Sequence, residues 1–428
     1  MSISAQSRRL GKSYARNLAR LALGAPLTYP ALGSMTLEAD DMALARRMLA
    51  SRSSWDSRRY VDEFEARFAE WNSSKYAFSF MSARVALSAC IHALDLKEGD
   101  EVVVPGYTCI AVPNAFRFAG VRVVFADIEL ETYGLDAAQL EQCVTPRTRA
   151  VVIQHLYGLV SRDYEAIASF CRERGLAIIE DCAQATGAEY KGRKVGALGD
   201  AAIYSSEQSK VMSTVQGGIA TTDSTVVARG LREYHESAPL PTLDMVEMLL
   251  KTLILDFHEA KHPRRAWTSP LVHLRYGNSR LQSTTDEEIT GKRPAHYGCR
   301  MAAPVAILGC NQLTKVDRFN ELRRAKARQW DEWCHRSGYV APRVIEGSVP
   351  VYLRYPVLVE PERKADTSWS VRELGVRVGV WMVTNLHPAP SNVTGCPNAD
   401  LAVRCCVNLP TLDCNDDLRE DLSESNRD

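Results

Sequence analysis

Short apolar segments alternate with amphipathic segments along the first half of the chain. The apolar segments are rich in Val, Ile and Ala: EVVVP (101–105), VRVVFADI (121–128), RAVVIQHL (149–156), LAIIED (176–181) and AAIYSS (201–206). Runs of this kind are typical of parallel strands that are buried on both faces. Helical patterns such as DYEAIASFCRER (163–174) lie between them. The alternation predicts an α/β fold with a mostly parallel sheet sandwiched by helices.

The alternation changes in two places, which gives a predicted domain organisation. Residues 1–36 form a basic N-terminal extension, residues 37–298 a large domain, and residues 299–428 a smaller C-terminal α/β domain. Within the large domain the pattern breaks over about 231–294. A helix is expected there around Met245 to His258. The break is interpreted as a surface insertion, with a lid, a dimer element or a partner surface as the alternatives.

The basic N-terminal extension carries RRLGKSYARNLARLAL (8–23), which contains no acidic residue. Such a segment resembles a transit peptide or a membrane-surface helix, but it lacks the apolar region and cleavage site of a secretory signal. We favour a loosely ordered or partner-bound extension and expect a cytoplasmic protein.

Composition narrows the classes of function. The 52 basic and 52 acidic residues give a formal net charge of zero, so a nucleic-acid partner has no electrostatic support. No uncharged apolar run is long enough to span a bilayer, and LDMVEMLLKTLILDF (243–257) is interrupted by four charges. The 12 cysteines are scattered without the spacing of a metal site, so they are interpreted as reduced thiols and no metal is expected.

The candidate chemistry lies on two neighbouring strands. One apolar run ends at Asp181, and another ends at Ser205, five residues before Lys210. Gly217 and Gly218 follow, and glycine permits close backbone approach. An acidic strand end is common in α/β proteins, and a lysine after a strand is often solvated. The combination nevertheless suits an enzyme that holds pyridoxal 5′-phosphate (PLP), with a lysine for the aldehyde, a carboxylate for the pyridine nitrogen and a hydroxyl for the phosphate.

The segment IEDCAQATGAEYKGRKVGALGDAAIYS (179–205) is highly specific. Together with GDEVVVPGYTCIAVPNAFRFAGVRVVFADIELETYGLD (99–136), it resembles the DegT/DnrJ/EryC1/StrS aminotransferases. The resemblance begins near Asp40, covers most of the chain and ends near VNLPT (407–411). It implies the fold type I of PLP-dependent transferases.

The resemblance assigns roles to four residues. Lys210 is expected to form a Schiff base with PLP and, once freed by a substrate amine, to move a proton between the substrate and the cofactor. Asp181 is expected at the pyridine nitrogen, Gln184 at the ring hydroxyl, and Ser205 at the phosphate.

The chain departs from the family pattern around the cofactor phosphate and ring. The family has Ser-Gly-Thr at the start of a helix that meets the phosphate, where this chain has Ser82, Ala83 and Arg84. Arg84 either binds the phosphate bidentately or points to solvent. Where the family often has a ring-stacking aromatic the chain has Cys109, so Tyr107 is a candidate for stacking, with a packed core tyrosine as the alternative.

Two further positions concern the partner subunit and the substrate. Gly298 replaces an Asn that in the family often reaches the phosphate of the partner subunit, which puts that contact in doubt. His387 lies near the place of a substrate-facing histidine, although an ordinary loop histidine is the simpler interpretation.

The resemblance implies a homodimeric aminotransferase that takes an amino group from glutamate to a nucleotide-linked keto sugar. A PLP-dependent sugar dehydratase of the same family is one alternative; those enzymes tend to have His in place of Lys210. A regulatory or structural protein with the same fold is the other, and the retained Asp181, Gln184, Ser205 and Lys210 argue against it.

Overall fold

The computed structural model describes residues 36–261, 281–295, 297–391 and 393–412. Nearly all of the predicted basic N-terminal extension lies outside these residues, as does part of the predicted insertion. Within them, no helix is long and apolar enough to cross a membrane.

The first part of the chain, up to the middle of the predicted insertion, carries most of the sheet. Its helices are α1 (Ala39–Ala50), α2 (Arg58–Asn72), α3 (Ala83–Ala93), α4 (Ala111–Phe118), α5 (Ala137–Cys143), α6 (Tyr164–Arg174), α7 (Thr225–Ser237) and α8 (Leu243–Lys261). Its strands are β1 (Tyr76–Phe80), β2 (Glu101–Pro105), β3 (Thr108–Cys109), β4 (Arg122–Ala126), β5 (Thr148–Gln154), β6 (Ala177–Asp181), β7 (Glu189–Tyr190), β8 (Arg193–Lys194), β9 (Ala201–Ser205) and β10 (Gly218–Thr222).

The remaining part is richer in helices. These are α9 (Asp286–Ile289), α10 (Ala303–Leu313), α11 (Val316–Ser337), α12 (Pro361–Ala365), α13 (Ser368–Leu374) and α14 (Pro397–Cys405). The strands are β11 (Ser348–Val349), β12 (Tyr355–Leu358), β13 (Leu386–His387) and β14 (Cys406–Leu409). The helix expected around Met245 to His258 is confirmed as α8.

The main sheet has seven strands in the order β1-β10-β9-β6-β5-β2-β4. Strand β10 is antiparallel to both of its neighbours, and the other six strands run in one direction. The five apolar segments named from the sequence form β2, β4, β5, β6 and β9. The predicted mostly parallel sheet is therefore confirmed. The carboxyl ends of β1, β6 and β9 lie at one edge of the sheet, next to the start of the antiparallel β10.

Alternate residues of the central strands enter different apolar cores on the two faces of the sheet. Val103 and Val151 belong to one core, whereas Val102, Val104 and Val152 belong to the other. The first core also contains residues of α1, α2, α6, α8 and α10, and the second contains residues of α3, α4 and α7. Successive side chains of a strand point to opposite faces of the sheet, so a strand that is apolar throughout contributes to both cores.

The start of the predicted insertion is part of the main core. In α8, Leu249, Leu250, Leu253 and Ile254 are fully buried and belong to the same core as α1 and α2. The interpretation as a surface insertion is therefore wrong for this helix, because its apolar face packs against the large domain.

A third core lies mostly in the C-terminal part of the chain, with further residues from 107–159, and α11 joins it to the main core. Val316, at the start of α11, is in the main core, but Ala327, Trp330 and Cys334 are in the third core. We therefore propose that the domain boundary lies within α11 rather than at residue 299.

Candidate active site

A cavity of about 1110 Å³ lies at the carboxyl edge of the main sheet. Strand ends supply Asp181 and Ser205, and the loop between β9 and β10 supplies Lys210. The C-terminal part of the chain adds Trp381 and His387. Ligands in open α/β sheets bind beyond the carboxyl ends of the strands, so this cavity is the candidate active site.

Lys210 lies in a loop that closes on itself. The Gln208 amide donates to the Val215 carbonyl at 3.0 Å, and the Thr214 amide donates to the Ser206 carbonyl at 2.8 Å. The Lys210 ammonium nitrogen is 4.6 Å from the centre of the Trp381 ring, which is within the range of a cation–π contact. The loop thus presents its one lysine to the cavity.

Asp181 is a buried carboxylate that lines the same cavity, with 7% of its surface exposed. Its Oδ1 accepts a hydrogen bond from the Ala183 amide at 3.0 Å. Burial raises the pKa of Asp181, with the Ala183 amide and the charge of Lys210 acting in the opposite direction. No ion pair to this carboxylate occurs within the described part of the chain, so it is suited to receive a cationic group in the cavity.

Gln184 follows Asp181 but is not part of the cavity wall. Its side-chain oxygen accepts a hydrogen bond from the Tyr157 amide at 2.8 Å, which fixes the orientation of the amide group. Its expected contact with a ring hydroxyl stays a prediction.

The predicted phosphate end is built from the start of α3 and from Ser205. Ser82 and Ala83 line the cavity where α3 begins, and the Ser82 side chain makes no capping hydrogen bond to the helix. The first amides of α3 are therefore available to an anion. A side chain at Gly218 would lie 2.2 Å from the Ala83 nitrogen, so β10 approaches this helix start closely.

Arg84 neither points to solvent nor is free to bind a phosphate through its side chain. Its guanidinium forms an ion pair with Glu288 and donates to the Ser283 carbonyl. Burial opposes the charge of Arg84, but Glu288 raises the pKa of the guanidinium. Neither of the two predicted positions of this side chain is therefore found. Arg84 instead binds Ser283 and Glu288, which lie in a segment (281–291) that forms part of the cavity wall.

Tyr107 does not stack in the cavity. It is fully buried, its hydroxyl bonds to the Tyr157 hydroxyl at 2.9 Å, and it accepts from the Met382 amide at 3.1 Å. The alternative of a packed core tyrosine is the one found, because the ring faces the third apolar core. Cys109 lines the cavity in its place, and burial raises the pKa of its thiol.

His387 lines the cavity because a short strand pair positions it. Strand β13 runs parallel to β3 with His387 opposite Cys109, and the Ile110 amide donates to the His387 carbonyl at 2.8 Å. Its Nδ1 accepts from the Val383 amide at 3.4 Å. Burial, with the charges of Lys210 and Lys364, lowers its pKa to about 4, so the imidazole is neutral at pH 7.

Several residues of the site were not foreseen from the sequence. Trp381 comes from the C-terminal part of the chain, and Glu207 from the lysine loop. The segment around Thr284 and Glu287 forms a further part of the wall. Their positions depend on long-range packing, for which a single sequence offers no local signal.

A second group of polar side chains is buried behind the site. Ligand atoms of His155, Glu180 and Cys182 lie within 4.8 Å of one another, the spacing of a metal site. Glu180 is, however, supplied with donors: Tyr164 at 2.5 Å, the Gly196 amide at 2.7 Å and His155 Nε2 at 3.1 Å. The group is thus explained as a structural hydrogen-bond network.

Comparison with known proteins identifies the family. The sequence profile of the DegT/DnrJ/EryC1/StrS aminotransferase family matches residues 36–246. The chain belongs to this family. The matched residues include β1 to β10 and the lysine loop, so the family match contains most of the cavity described above.

Two curated relatives are similar to part of the chain. GDP-perosamine synthase of Escherichia coli O157:H7 is 40% identical over 42% of this chain and 50% of its own length. The dTDP-3-amino-3,6-dideoxy-alpha-D-galactopyranose transaminase of Aneurinibacillus thermoaerophilus is 40% identical over 53% of this chain and 66% of its own length. The chain thus spans about half the length of the first of these relatives.

Solved structures match over a larger share. DesV of S. venezuelae, crystallised in complex with a ketimine intermediate, is 25% identical and aligns with a TM-score of 0.65 over 87% of this chain and 89% of that chain. The predicted α/β fold of the type I PLP-dependent transferases is therefore confirmed for this member of the DegT/DnrJ/EryC1/StrS family.

Proposed function

We propose that this family member is a PLP-dependent aminotransferase that moves an amino group to a keto sugar. The observation that carries the proposal is the arrangement of Asp181 and Lys210 in one cavity at the carboxyl edge of the sheet. A buried carboxylate that has no ion-pair partner within the described residues fits a pyridinium nitrogen, and the lysine fits the aldehyde of the same group.

PLP, when bound, acts as an electron sink for a substrate carbon that loses its proton. The protein residues then have separate tasks. Asp181 would hold a proton on the ring nitrogen, and the amides at the start of α3 and Ser205 would bind the phosphate. Gln184, which is held by the Tyr157 amide outside the cavity wall, would have to turn toward the cavity to reach the ring hydroxyl. Lys210 would hold the group covalently and, with its amine free, would carry a proton at its Nζ.

The substrates are proposed from the relatives and the cavity. A nucleotide-linked keto sugar is the expected acceptor, since the relatives named above are a GDP-sugar synthase and a dTDP-sugar transaminase by name. Glutamate is the amino donor that the resemblance to the family implies. A cavity of about 1110 Å³ is at the upper end of ordinary ligand pockets, which suits an acceptor larger than an amino acid. A neutral His387 offers a hydrogen bond to that acceptor.

The assembly proposed is a homodimer in the cytoplasm. A side-chain carbon placed at Gly298 would make only ordinary van der Waals contact, with its nearest neighbour, the Arg293 guanidinium, 3.7 Å away. This glycine cannot supply the polar contact that the family's Asn gives to the partner subunit. We infer that the main phosphate contacts come from the same subunit, through Ser205 and the amides at the start of α3.

The alternatives are less well supported. A sugar dehydratase is disfavoured by Lys210, which lies in the cavity where those enzymes tend to have His. A non-catalytic protein would have no physical need for a buried, unpaired Asp181 facing the same cavity as Lys210. Keeping such a carboxylate out of water without a partner is unfavourable.

The test is a visible absorption spectrum of the purified protein with added PLP, before and after glutamate. Borohydride reduction and peptide mapping then locate the covalent attachment. We expect an absorption band that traps on Lys210 and bleaches with glutamate, and we expect the Lys210→Ala variant to lose both. Lys97→Ala changes an exposed lysine and serves as the matched control.

Two other outcomes of this test would change the proposal. Attachment at Lys210 without bleaching by glutamate would retain PLP and redirect the search to another donor or another PLP reaction. The absence of any band with wild-type protein and excess PLP would overturn the catalytic proposal.

A further inference from the structure

Residues 281–288 form one wall of the cavity, and this wall belongs to the predicted insertion rather than to the sheet. Leu281, Ser283, Thr284 and Glu287 are among its lining residues. The segment runs from the lysine loop, where the Gln216 side-chain amide donates to the Gln282 carbonyl at 3.3 Å, to the start of α3. It therefore crosses the cavity from the lysine end to the phosphate end.

The ion pair between Arg84 and Glu288 anchors this wall to α3. The side chains are 16% and 2% exposed, so the pair is shielded from water. The Arg84 guanidinium also donates to the Ser283 carbonyl. One side chain on α3 thus holds the wall at two points, five residues apart.

Glu288 is itself held in place. Its second oxygen accepts from the Thr285 amide at 3.0 Å, and the Thr285 hydroxyl accepts from the Glu288 amide at 3.3 Å, which forms a capping box at the start of α9. The Asn114 side chain donates to the Glu288 carbonyl at 2.8 Å, from a position that is 1% exposed. The short helix α9 is therefore oriented by α3 and α4 together.

The backbone carbonyl of Arg84 also binds this region, through Tyr297. The Tyr297 hydroxyl donates to the Arg84 carbonyl at 3.3 Å, and its ring packs edge-to-face on Phe118. Ser283 and Tyr297 are consequently both fixed on Arg84 of α3, the helix that carries the proposed phosphate site. The position where the family has a small hydroxyl residue is used here to attach a wall.

We propose that Arg84 and Glu288 form a latch that positions residues 281–288 as the acceptor-facing wall of the active site. This inference rests on the proposed function, and it makes Arg84 a positioning residue rather than a phosphate ligand. The latched wall presents Thr284 and the exposed Glu287 to the cavity, where a hydroxyl and a carboxylate accept hydrogen bonds from the hydroxyl groups of a sugar ring.

The latch is expected to act on the acceptor and not on the donor. An interaction that contributes equally to bound substrate and to the transition state changes KM and leaves kcat unchanged. For Glu288→Gln and Arg84→Ala we therefore expect the KM for the acceptor to rise on the order of tenfold. The rate of cofactor bleaching by glutamate in the first half-reaction should stay within a factor of about two.

The experiment has a structural arm that needs neither cofactor nor acceptor. Hydrogen exchange of the amides in residues 281–295 is measured in the cofactor-free protein, where the amides of Ile289 and Thr290 bond within α9. We expect both variants to lose protection in this segment and the exchanged pair Arg84→Glu with Glu288→Arg to recover part of it. Arg343→Ala breaks an exposed ion pair with Glu131 and is the matched control.

The outcomes separate the latch from the function. Unchanged protection of residues 281–295 in both single variants would overturn the latch, whatever the enzyme does. Lost protection with an unchanged acceptor KM would overturn the role in acceptor binding. If no acceptor is turned over, the exchange data still decide whether the latch exists, while the glutamate half-reaction decides the function. Arg84→Lys keeps the charge and replaces Arg84→Ala if that variant does not fold.

Discussion

Two buried carboxylates follow each other at the end of β6, and their surroundings differ. Burial opposes the charge of Glu180, but His155, Tyr164 and a backbone amide donate to it, and its pKa is lowered. Asp181 accepts from the Ala183 amide, and burial raises its pKa. The fold therefore satisfies the first charge internally and leaves the second for a group that enters the cavity.

This difference predicts opposite effects for two isosteric changes. Glu180→Gln should lower the unfolding midpoint, because an amide cannot accept all of the donors that now face the carboxylate. Asp181→Asn should leave the midpoint of the cofactor-free protein unchanged or raise it, since a poorly compensated buried charge is removed. In the Asp181→Asn variant loaded with PLP, bleaching of the absorption band by glutamate should slow by on the order of a hundredfold or more, because the ring nitrogen loses its charged partner.

Thermal unfolding of the cofactor-free variants and single-turnover kinetics with glutamate measure the two effects. A loss of stability in Asp181→Asn that equals the loss in Glu180→Gln would show that Asp181 is structural. An unchanged half-reaction would contradict its place at the ring nitrogen.

Local sequence pattern was sufficient to predict three residues of the site. Asp181, Ser205 and Lys210 could be predicted because each lies at the end of, or shortly after, an apolar strand, and the carboxyl ends of parallel strands meet. Arg84 could not be assigned, since its partner Glu288 is 204 positions away in a region without a family pattern. Tyr107 could not be assigned either, because its partners come from other parts of the fold.

At the scale of elements, the contact of β10 with the start of α3 shapes the proposed phosphate site. Gly218 begins β10 opposite Ser205 on one side and Phe80 on the other. A side-chain carbon there would lie 2.2 Å from both the Ala83 nitrogen and the Ser82 carbonyl carbon. These are backbone atoms, so they cannot move aside as a flexible side chain does.

Gly218→Ala should therefore displace the start of α3. We expect a loss of about 1–3 kcal/mol in the free energy of unfolding, as for other overpacked buried sites. PLP affinity should fall with it, because the amides at the helix start no longer converge on the phosphate. Urea unfolding and a spectroscopic PLP titration are the measurements.

Gly298→Ala is the matched control, since the nearest atom to its added carbon would be 3.7 Å away. It should bind PLP as the wild-type protein does and unfold at the same urea concentration. Equal PLP affinity in the two variants would contradict the close packing of β10 on α3.

Helices and strands were predicted well where the apolar pattern ends at a residue, such as glycine, that terminates the element. Helix α6 ends at Arg174, before Gly175 in the left-handed conformation, as the sequence DYEAIASFCRER followed by Gly indicates. Helix α8 was found as well, but its burial was not, because an amphipathic pattern does not show what covers the apolar face. The separation of α10 from α11 at residues 314–315 also has no strong local signal in the sequence.

On the scale of the whole molecule, the cavity depends on two cores that are joined through α11. The main core carries Asp181 and Lys210 at the sheet edge, whereas Trp381 and His387 arrive from the part of the chain built around the third core. The pairing of β13 with β3 fixes one part against the other. A charge placed on His387 therefore acts at the junction of the two parts.

His387 makes the stability of the molecule depend on pH. Its pKa is about 4 in the folded protein, through burial and the nearby charges of Lys210 and Lys364, against an ordinary value of 6.5. The unfolded chain consequently binds a proton that the folded chain excludes. The stability contributed by the neutral imidazole is complete above pH 6.5 and is lost as the pH falls toward 4.

A second buried pair acts in the same range, but its contributions oppose each other. Burial lowers the pKa of His235 to about 4 and raises the pKa of Glu65, 3.3 Å away, to about 7. As the pH falls, the histidine destabilises the fold, while the carboxyl group, which the folded state prefers protonated, stabilises it between pH 7 and its ordinary value of 4.5. Because the two contributions of this pair oppose each other, His387 is the better histidine for a test of acid sensitivity.

His387→Asn tests this directly, because an asparagine oxygen can still accept from the Val383 amide without taking up a proton. Between pH 6.5 and 4, the unfolding midpoint of the cofactor-free wild-type protein should fall more steeply than that of the variant, and the two curves should run parallel above pH 7. His335→Asn removes an exposed histidine and should follow the wild-type curve. If His387→Asn keeps the wild-type slope, the imidazole is not shielded from water and its pKa is not lowered by the fold.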